Sequence, residues 1–366
     1  MKLGMFMMPL HPPAKDRTAC FDEDIEQVVR AEALGFTEAW IGQHHSVAWE
    51  PIPSNDLFIA NLLPRTSTIR LGTGVSIVPH HHPVNVAVRL AFLDHLSRGR
   101  INVGFGQSGV PTDWELFDLP DPGTQGLMTL EGMDLVMKLW QSEAPFDFRG
   151  RFWHVRADEP DRELGVGVML KPYQKPHPPI AMSVIKAGSR AAHTAGERGF
   201  IPISTNLVPD TTLGSHWDTY CGGAAAAGRP VPDRAMWRVA RSIFVADSDA
   251  EAWDHARAGS FAASLDYLIK ILTAGGVLQV MKEHPDQPDE EVTVEYALSK
   301  LCIIGSAATC SERLRALQQV TGGFGTLLMI AHDWDDRARW TRSLELLART
   351  VVPAVAAVSP VAAHGD

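Results

Sequence analysis

The feature that most constrains this chain is a repeated alternation of short apolar runs with helical patterns. Residues 3–8 form an apolar run ended by Pro9, and residues 21–34 then carry apolar side chains at helical spacing. A second apolar run at 37–42 precedes another helical pattern at 55–63. Strands that are apolar on both faces are typical of a parallel sheet covered by helices. The sequence therefore predicts an α/β fold.

The alternation continues to the C-terminal third of the chain. The eight predicted strands are residues 3–8, 37–42, 69–78, 101–105, 180–184, 200–204, 237–246 and 324–330. Eight such strands fit a closed barrel better than an open sheet. We therefore predict a single (β/α)8 TIM-barrel domain with insertions over residues 1–353. Its active site is expected at the C-terminal ends of the strands.

Two stretches interrupt the pattern and are predicted to be irregular excursions. Residues 145–179 carry six prolines and little periodicity, and residues 267–300 contain a glycine pair and an acidic run. Long excursions from a compact domain are usually functional. The last residues, 354–366, are predicted to be a frayed tail.

Charge and cysteine content limit the classes of partner. The net charge of −10 argues against nucleic acid and anionic membrane as partners. The cysteines form no CxxC pair, which favours reduced thiols in a cytoplasmic protein; they are Cys20, Cys221, Cys302 and Cys310. No run reaches the roughly 18 apolar residues that a membrane span requires. We expect a cytoplasmic protein.

Glycines cluster near two predicted strand ends. Gly104, Gly106 and Gly109 match the spacing GxGxxG, but Pro111 and Pro120 follow with no apolar helical stripe. A dinucleotide site needs a helix directly after the glycines, so a flexible backbone that a flat ligand can approach is favoured. Glycines inside the strand 69–78 likewise mark room for a ligand or a bulge.

Histidines follow the second and third predicted strands. His44 is either a hydrogen-bonded structural residue or a general acid or base, since imidazole titrates near neutrality. The run His80, His81 and His82 suggests a metal site at first sight, but no carboxylate pattern accompanies it. A loop at the same face of the barrel is favoured, and no metal ligand is predicted.

A turn after the fifth predicted strand offers a third candidate. Gly188, Ser189 and Arg190 open a helical pattern there. Free N–H groups, a hydroxyl and a guanidinium at a helix start would suit a phosphate group. The alternative is a plain helix N-cap, and the residues alone do not choose between the two.

Together these motifs resemble the bacterial luciferase-like flavin monooxygenases, and among them the limonene-monooxygenase-like group. The resemblance spans residues 1 to about 353. The matching segments are 36–45, 69–74, 82–83, 93–100, 171–173, 176–180, 322–325 and 331–334. Their order along nearly the whole chain is specific for the superfamily and less so for a substrate.

The resemblance implies a barrel that binds FMN in its reduced form, FMNH2. Such enzymes combine it with O2 to form a C4a-(hydro)peroxyflavin, which inserts one oxygen atom into a substrate, here expected to be small, organic and largely apolar. A separate flavin reductase and a homodimer are also implied. His44 takes the catalytic acid/base position, and the cofactor-binding positions are Gly74, Val75, Gly106, Gln107, Gly188, Ser189 and Arg190. A cis peptide bond is expected between Gly74 and Val75.

Two departures from the family pattern bear on the site. Relatives often carry glutamate before the paired histidines, where this chain has Gln43, and luciferase-type relatives place arginine near the neutral Gln107. Because an amide cannot neutralise a phosphate dianion, either phosphate affinity depends on Arg190 or flavin binds weakly, as suits a diffusible reduced cofactor. The alternatives are an F420-dependent hydride-transfer oxidoreductase on the same barrel, and a non-catalytic flavin-binding partner subunit.

Overall fold

The computed structural model describes residues 1–357. The strands are β1 Lys2–Met7, β2 Glu38–Ile41, β3 Arg70–Ile77, β4 Ile101–Gly106, β5 Phe146–Arg149, β6 His154–Ala157, β7 Ile180–Val184, β8 Ile201–Ser204, β9 Arg238–Ala246, β10 Cys302–Ser306 and β11 Thr326–Ile330. The helices are α1 Arg17–Ala33, α2 Asn55–Leu62, α3 Pro83–Ser97, α4 Pro111–Leu116, α5 Pro122–Gln141, α6 Arg190–Arg198, α7 Asp210–Ala226, α8 Asp249–Ala258, α9 Ser260–Ala274, α10 Val294–Lys300, α11 Ala307–Thr321, α12 Arg337–Leu346 and α13 Val352–Ala356.

The chain packs as two compact units, which we call the outer-chain unit and the mid-chain unit. The outer-chain unit holds residues 1–37 together with those from Val184 onward, and the mid-chain unit holds Glu38–Ser183. Among the described residues, no helix combines the length and apolarity needed to cross a bilayer. Of the predicted tail 354–366, the start continues α13, where Val355 is buried, and 358–366 lie outside the described residues.

The mid-chain unit is built on four parallel strands. β3 pairs with β2 on one side and β4 on the other, and β4 pairs in turn with β7. Helices α2 and α3 pack on each other, and α5 packs on α3. The antiparallel hairpin β5–β6 lies within the predicted excursion 145–179. Its alternating exposure leaves one face in solvent, so its sequence lacks the continuous apolar run of a buried strand.

The outer-chain unit is also parallel. β11 pairs with β1 and with β9, and β9 carries β8 and β10 along different parts of its length. β9 is buried over nearly all its length, as expected for a strand covered on both faces. The second predicted excursion, 267–300, contains the end of α9 and the whole of α10.

All eight predicted strands are present, with ends shifted by one or two residues. The sequence missed the strands β5, β6 and β10 and the helices α4, α5 and α7 to α13. The helix α5 contains Gly126 and Gly132, which weaken a helical pattern. Gly132 is needed there because a Cβ would lie 2.3 Å from the side chain of Val78.

Candidate active site

The centre of β3 is irregular. Its register against β4 shifts between Thr73 and Ser76, and the Gly74–Val75 peptide bond is cis, as the resemblance implied. Thr73 is buried, and its hydroxyl donates to the carbonyl of Gly104 and accepts from the Gly104 N–H. Gly74 of strand β3 therefore marks a bulge. The glycines of this strand had suggested either a bulge or room for a ligand.

The glycines of β4 make room for this bulge. A Cβ on Gly104 would lie 2.3 Å from the Thr73 carbonyl oxygen, and one on Gly106 would lie 2.7 Å from a methyl of Val75. The first two glycines of the GxGxxG spacing thus reflect close packing of two strands. The short helix α4 follows these glycines. Its one buried residue is the polar Asp113, so it shows no apolar stripe.

Gln43 and Asn55 support the bulge from the side of β2. The Asn55 backbone N–H donates to the Gln43 side-chain oxygen over 3.2 Å, and the Asn55 amide donates to the Val75 carbonyl over 3.0 Å. Ser54, at the N-cap of α2, makes no side-chain cap hydrogen bond, so Gln43 fills that role. The amide at position 43 is thus used to satisfy a buried helix terminus.

His44 lies between two carboxylates. Its Nδ1 is 3.3 Å from Asp113 Oδ2, and its Nε2 is 3.2 Å from Glu50 Oε2. The side chain of His44 is 16% exposed, whereas both carboxylates are buried. Burial opposes protonation of His44, but the charges of Glu50 and Asp113 outweigh it and raise the pKa of the imidazole. The imidazolium form of His44 is therefore more favoured than that of a free histidine.

Asp113 is a fixed anion. It accepts hydrogen bonds from the N–H groups of His45 and Ser46 and from the hydroxyls of Ser46 and Ser108. Burial alone would raise the pKa of Asp113, but these donors and His44 hold it well below its usual range. Asp113 thereby ties the loop after β2 to α4 and orients the His44 ring.

The neighbouring histidines have a different environment. The ring of His80 stacks on Phe117 with centroids 4.1 Å apart, and His45 packs edge-on against both rings. Burial lowers the pKa of His80 to about 4 and also lowers that of His45. Both rings are uncharged at neutral pH. His82 is exposed, and its side chain caps α3.

The predicted phosphate turn lies in the outer-chain unit. Gly188 has a φ of +61° with open space around its Cα, and the Ser189 hydroxyl accepts the Ala191 N–H as the N-cap of α6. Arg190 is exposed and forms no ion pair with another described residue. Lys186, also exposed, precedes this turn and was not singled out from the sequence. The N-cap geometry leaves the two cations available to an anion.

The sequence also missed a buried charge cluster in the outer-chain unit. His11 Nδ1 lies 2.6 Å from Asp333 and its Nε2 lies 3.0 Å from Asp24, while the Lys15 ammonium is 2.7 Å from Glu23 and also contacts Asp333. Within the described part of the chain, His11, Glu23 and Asp333 are the one group spaced to share a metal ion. The Lys15 ammonium already contacts Glu23 and Asp333, so it takes the place that a metal cation would need.

A solved structure shares this fold over nearly the whole chain. The oxygenating constituent of 3,6-diketocamphane monooxygenase from Pseudomonas putida, described as a type II Baeyer–Villiger monooxygenase in complex with FMN, superposes with a TM-score of 0.88. It is 29% identical, and the match covers 96% of this chain and 98% of that one. The predicted (β/α)8-barrel fold class is confirmed, and the chain is a barrel enzyme.

The family follows from sequence comparison. The model of the luciferase-like monooxygenase family matches residues 1–322. The chain is 34% identical to 4-hydroxyprotoasukamycin monooxygenase of Streptomyces nodosus subsp. asukaensis, over 96% of this chain and 91% of that protein. It is 30% identical to limonene 1,2-monooxygenase of Rhodococcus erythropolis, over 96% and 85%. This chain belongs to the luciferase-like monooxygenase family, as the sequence analysis predicted.

Proposed function

We propose that this enzyme uses FMNH2 and O2 to insert one oxygen atom into a small, largely apolar organic substrate. Family membership supports this reaction, as do the diketocamphane and limonene substrates in the names of its relatives. The observation that carries the proposal is the imidazole of His44, held between Asp113 and Glu50 where its charged form is favoured. Such a group can hold or deliver a proton during oxygenation.

The residues present fit a flavin. In the mid-chain unit, the bulge at Gly74 and Val75 faces Gly106, where no side chain intervenes, and Gln107 is exposed beside it. We assign these four residues to the flat ring system. In the outer-chain unit, Gly188, Ser189 and Arg190 suit the phosphate, because a left-handed glycine and an unpaired guanidinium are common at anion sites.

The protein's part in the chemistry is binding and proton management. Bound reduced FMN supplies two electrons to O2 and so makes oxygen transfer possible. His44 supplies a proton or a charged hydrogen-bond donor, and Asp113 fixes the orientation of its ring. His45 and His80 stay neutral, so they add no charge beside an apolar substrate.

A separate flavin reductase is the proposed source of FMNH2. The diketocamphane relative is described as an oxygenating constituent, which implies a further component in that system. We also propose a cytoplasmic location, because the four cysteines are unpaired and three of them are buried.

We propose a homodimer whose interface is formed by α2 and α3. Val88, Phe92 and Leu96 recur every four residues on α3 and are exposed, and Leu57 of α2 is exposed nearby in the same helix pair. Exposed apolar residues aligned on one helix face usually mark an interface.

The test supplies the purified chain with FMN, a flavin reductase, NADH and 18O2. Camphane-type ketones and limonene are offered as substrates, and products are analysed by mass spectrometry. We expect one 18O atom in the product. The His44→Gln variant should lose about 10²- to 10⁴-fold in rate, the range of general acid–base catalysis. His284→Gln is the control, because that histidine is exposed.

Three results would contradict the proposal. Oxygen-independent reduction of a substrate with F420 would identify a hydride-transfer enzyme. Flavin binding without turnover, until a second chain is added, would identify a partner subunit. Full activity of His44→Gln would remove the assigned role of that residue while leaving the reaction class in place.

A further inference from the structure

Glu50 is the one carboxylate at this site whose own hydrogen bonds do not explain its burial. It lies in the loop after β2, and the His44 N–H donates to the Ile52 carbonyl over 3.0 Å, which folds this loop back on itself. Glu50 is buried, and its Oε2 accepts no hydrogen bond from the described residues. Its charged neighbour is the Nε2 of His44, at 3.2 Å. Burying an ionised carboxylate without such a partner is costly.

The two carboxylates around His44 differ in their donors. Asp113 accepts from four groups besides His44, and these are hydrogen bonds that only an ionised carboxylate can satisfy together. Glu50 accepts from none of them. Asp113 is therefore a permanent anion, and the proton that can move belongs to His44 and Glu50.

We infer that Glu50 is a positioning residue for the oxygenation reaction, forming with His44 a pair that shares one exchangeable proton. The proton is carried either by His44 Nε2, as imidazolium beside the Glu50 carboxylate, or by Glu50 Oε2, as carboxylic acid beside a neutral imidazole. An N–H bond is exchanged for an O–H bond, and no group is oxidised or reduced. The shared proton can be tested without the proposed function. The effect of the pair on catalysis rests on that function.

This pair accounts for the amide at position 43. Gln43 contributes no charge and is committed to the N-terminus of α2. Glu50, seven positions later in the sequence, brings a carboxylate to the His44 ring from the opposite end of the loop. Glu50 thus places a carboxylate beside His44, although position 43 carries an amide.

The titration of His44 and Glu50 can be followed separately from that of the groups around them. Asp113 is ionised throughout the neutral range, and His45 and His80 have lowered pKa values and stay uncharged. Burial raises the pKa of Glu50, and the two carboxylates raise that of His44. Two groups that interact by more than about one pK unit titrate as one unit with shared midpoints.

The first experiment uses the unmodified, flavin-free protein. Histidine and glutamate are labelled with ¹³C, and the ring signal of His44 and the carboxyl signal of Glu50 are followed against pH. We expect both signals to change at common midpoints. Independent single transitions for the two groups would overturn the inference without any variant being made.

The second experiment uses Glu50→Gln, which keeps the shape and removes the charge. The midpoint of His44 should move to lower pH, and the alkaline limb of the oxygenation rate should move with it. Above both midpoints the rate should fall about tenfold for each pH unit of that movement. Glu143→Gln, at an exposed glutamate of the same unit, should change neither quantity.

The outcomes separate the two proposals. An unchanged His44 midpoint in folded Glu50→Gln overturns the inference, whatever the activity. A shifted midpoint with an unchanged pH–rate profile supports the pair and contradicts the catalytic role of His44. If Glu50→Gln does not fold, the titration of the unmodified protein decides alone.

Discussion

The side-chain amide of Asn55 donates a 3.0 Å hydrogen bond to the backbone carbonyl of Val75. Asn55 begins α2, and Val75 lies in the bulge of β3, so this contact ties a helix terminus to the surface assigned to the flavin ring. The backbone N–H of Asn55 also donates a hydrogen bond to the Gln43 side-chain oxygen. The position of the bulge therefore depends on a chain of two amide side chains.

Replacing Asn55 with leucine should weaken flavin binding. The change leaves the Val75 carbonyl without its donor, which costs about 1–3 kcal/mol when the group is buried. We expect about a tenfold increase in the Kd for FMN, measured by fluorescence titration, and a lower Tm. Asn61→Leu, at an exposed site on the same helix, is the control and should leave both unchanged. An unaltered Kd in Asn55→Leu would show that the bulge holds its position without this bond.

A single methyl group should distinguish Gly106, the last residue of β4, from Gly109 in the loop that follows. Gly106→Ala places a Cβ 2.7 Å from the Val75 methyl, whereas Gly109→Ala meets nothing within 4 Å. The first variant must displace Val75 and should lose FMN affinity and oxygenation, with a cost of about 1–3 kcal/mol in stability. The second should behave as the parent enzyme. Equal behaviour of the two variants, by FMN titration and thermal melting, would contradict the packing role of Gly106.

The strands were predictable and the charged site was not, for a physical reason. A strand covered on both faces is mostly apolar, so β1 and β11 are visible in the sequence as nearly continuous apolar runs. The contact between His44 and Asp113 joins residues 69 positions apart, and no periodicity encodes it. Glu50 and Asp113 look like ordinary loop and helix residues until the chain is folded. The resemblance supplied His44 and the cis bond, but it did not supply their partners.

The charge cluster around His11 should make stability depend on pH. Burial opposes its protonation, but hydrogen bonds to Asp24 and Asp333 outweigh this and raise the pKa of His11 to about 9. Because the folded-state pKa exceeds the unfolded value of about 6.5, the stabilisation is complete below pH 6.5 and is lost as pH rises through 9. Burial raises the pKa of Asp24 to about 6, so this carboxylate is mostly ionised at pH 7 and above.

His11→Leu tests this dependence by removing the partner of a buried anion. Asp24 then lacks its counter-charge, so we expect a loss of about 3–5 kcal/mol at pH 7 by urea denaturation. The difference from the parent should shrink as pH rises from 7 to 10. His284→Leu, at an exposed site, serves as control. A difference that stays constant over this range would mean that His11 stabilises the fold by packing rather than by charge.

The exposed face of α3 should determine the oligomeric state. Phe92 is 54% exposed and lies between Val88 and Leu96 on that face, so a charge placed there would have to be buried in a dimer. We expect Phe92→Glu to elute as a 40.0 kDa monomer, the mass of one chain, where the parent elutes as a dimer. Val231→Glu is the matched control, because Val231 is an isolated apolar residue, 92% exposed, in the outer-chain unit. Its elution should equal that of the parent, since lone surface valines carry no interface. A parent protein that is monomeric at micromolar concentration, or a Phe92→Glu variant that remains dimeric, would show that this face serves another purpose.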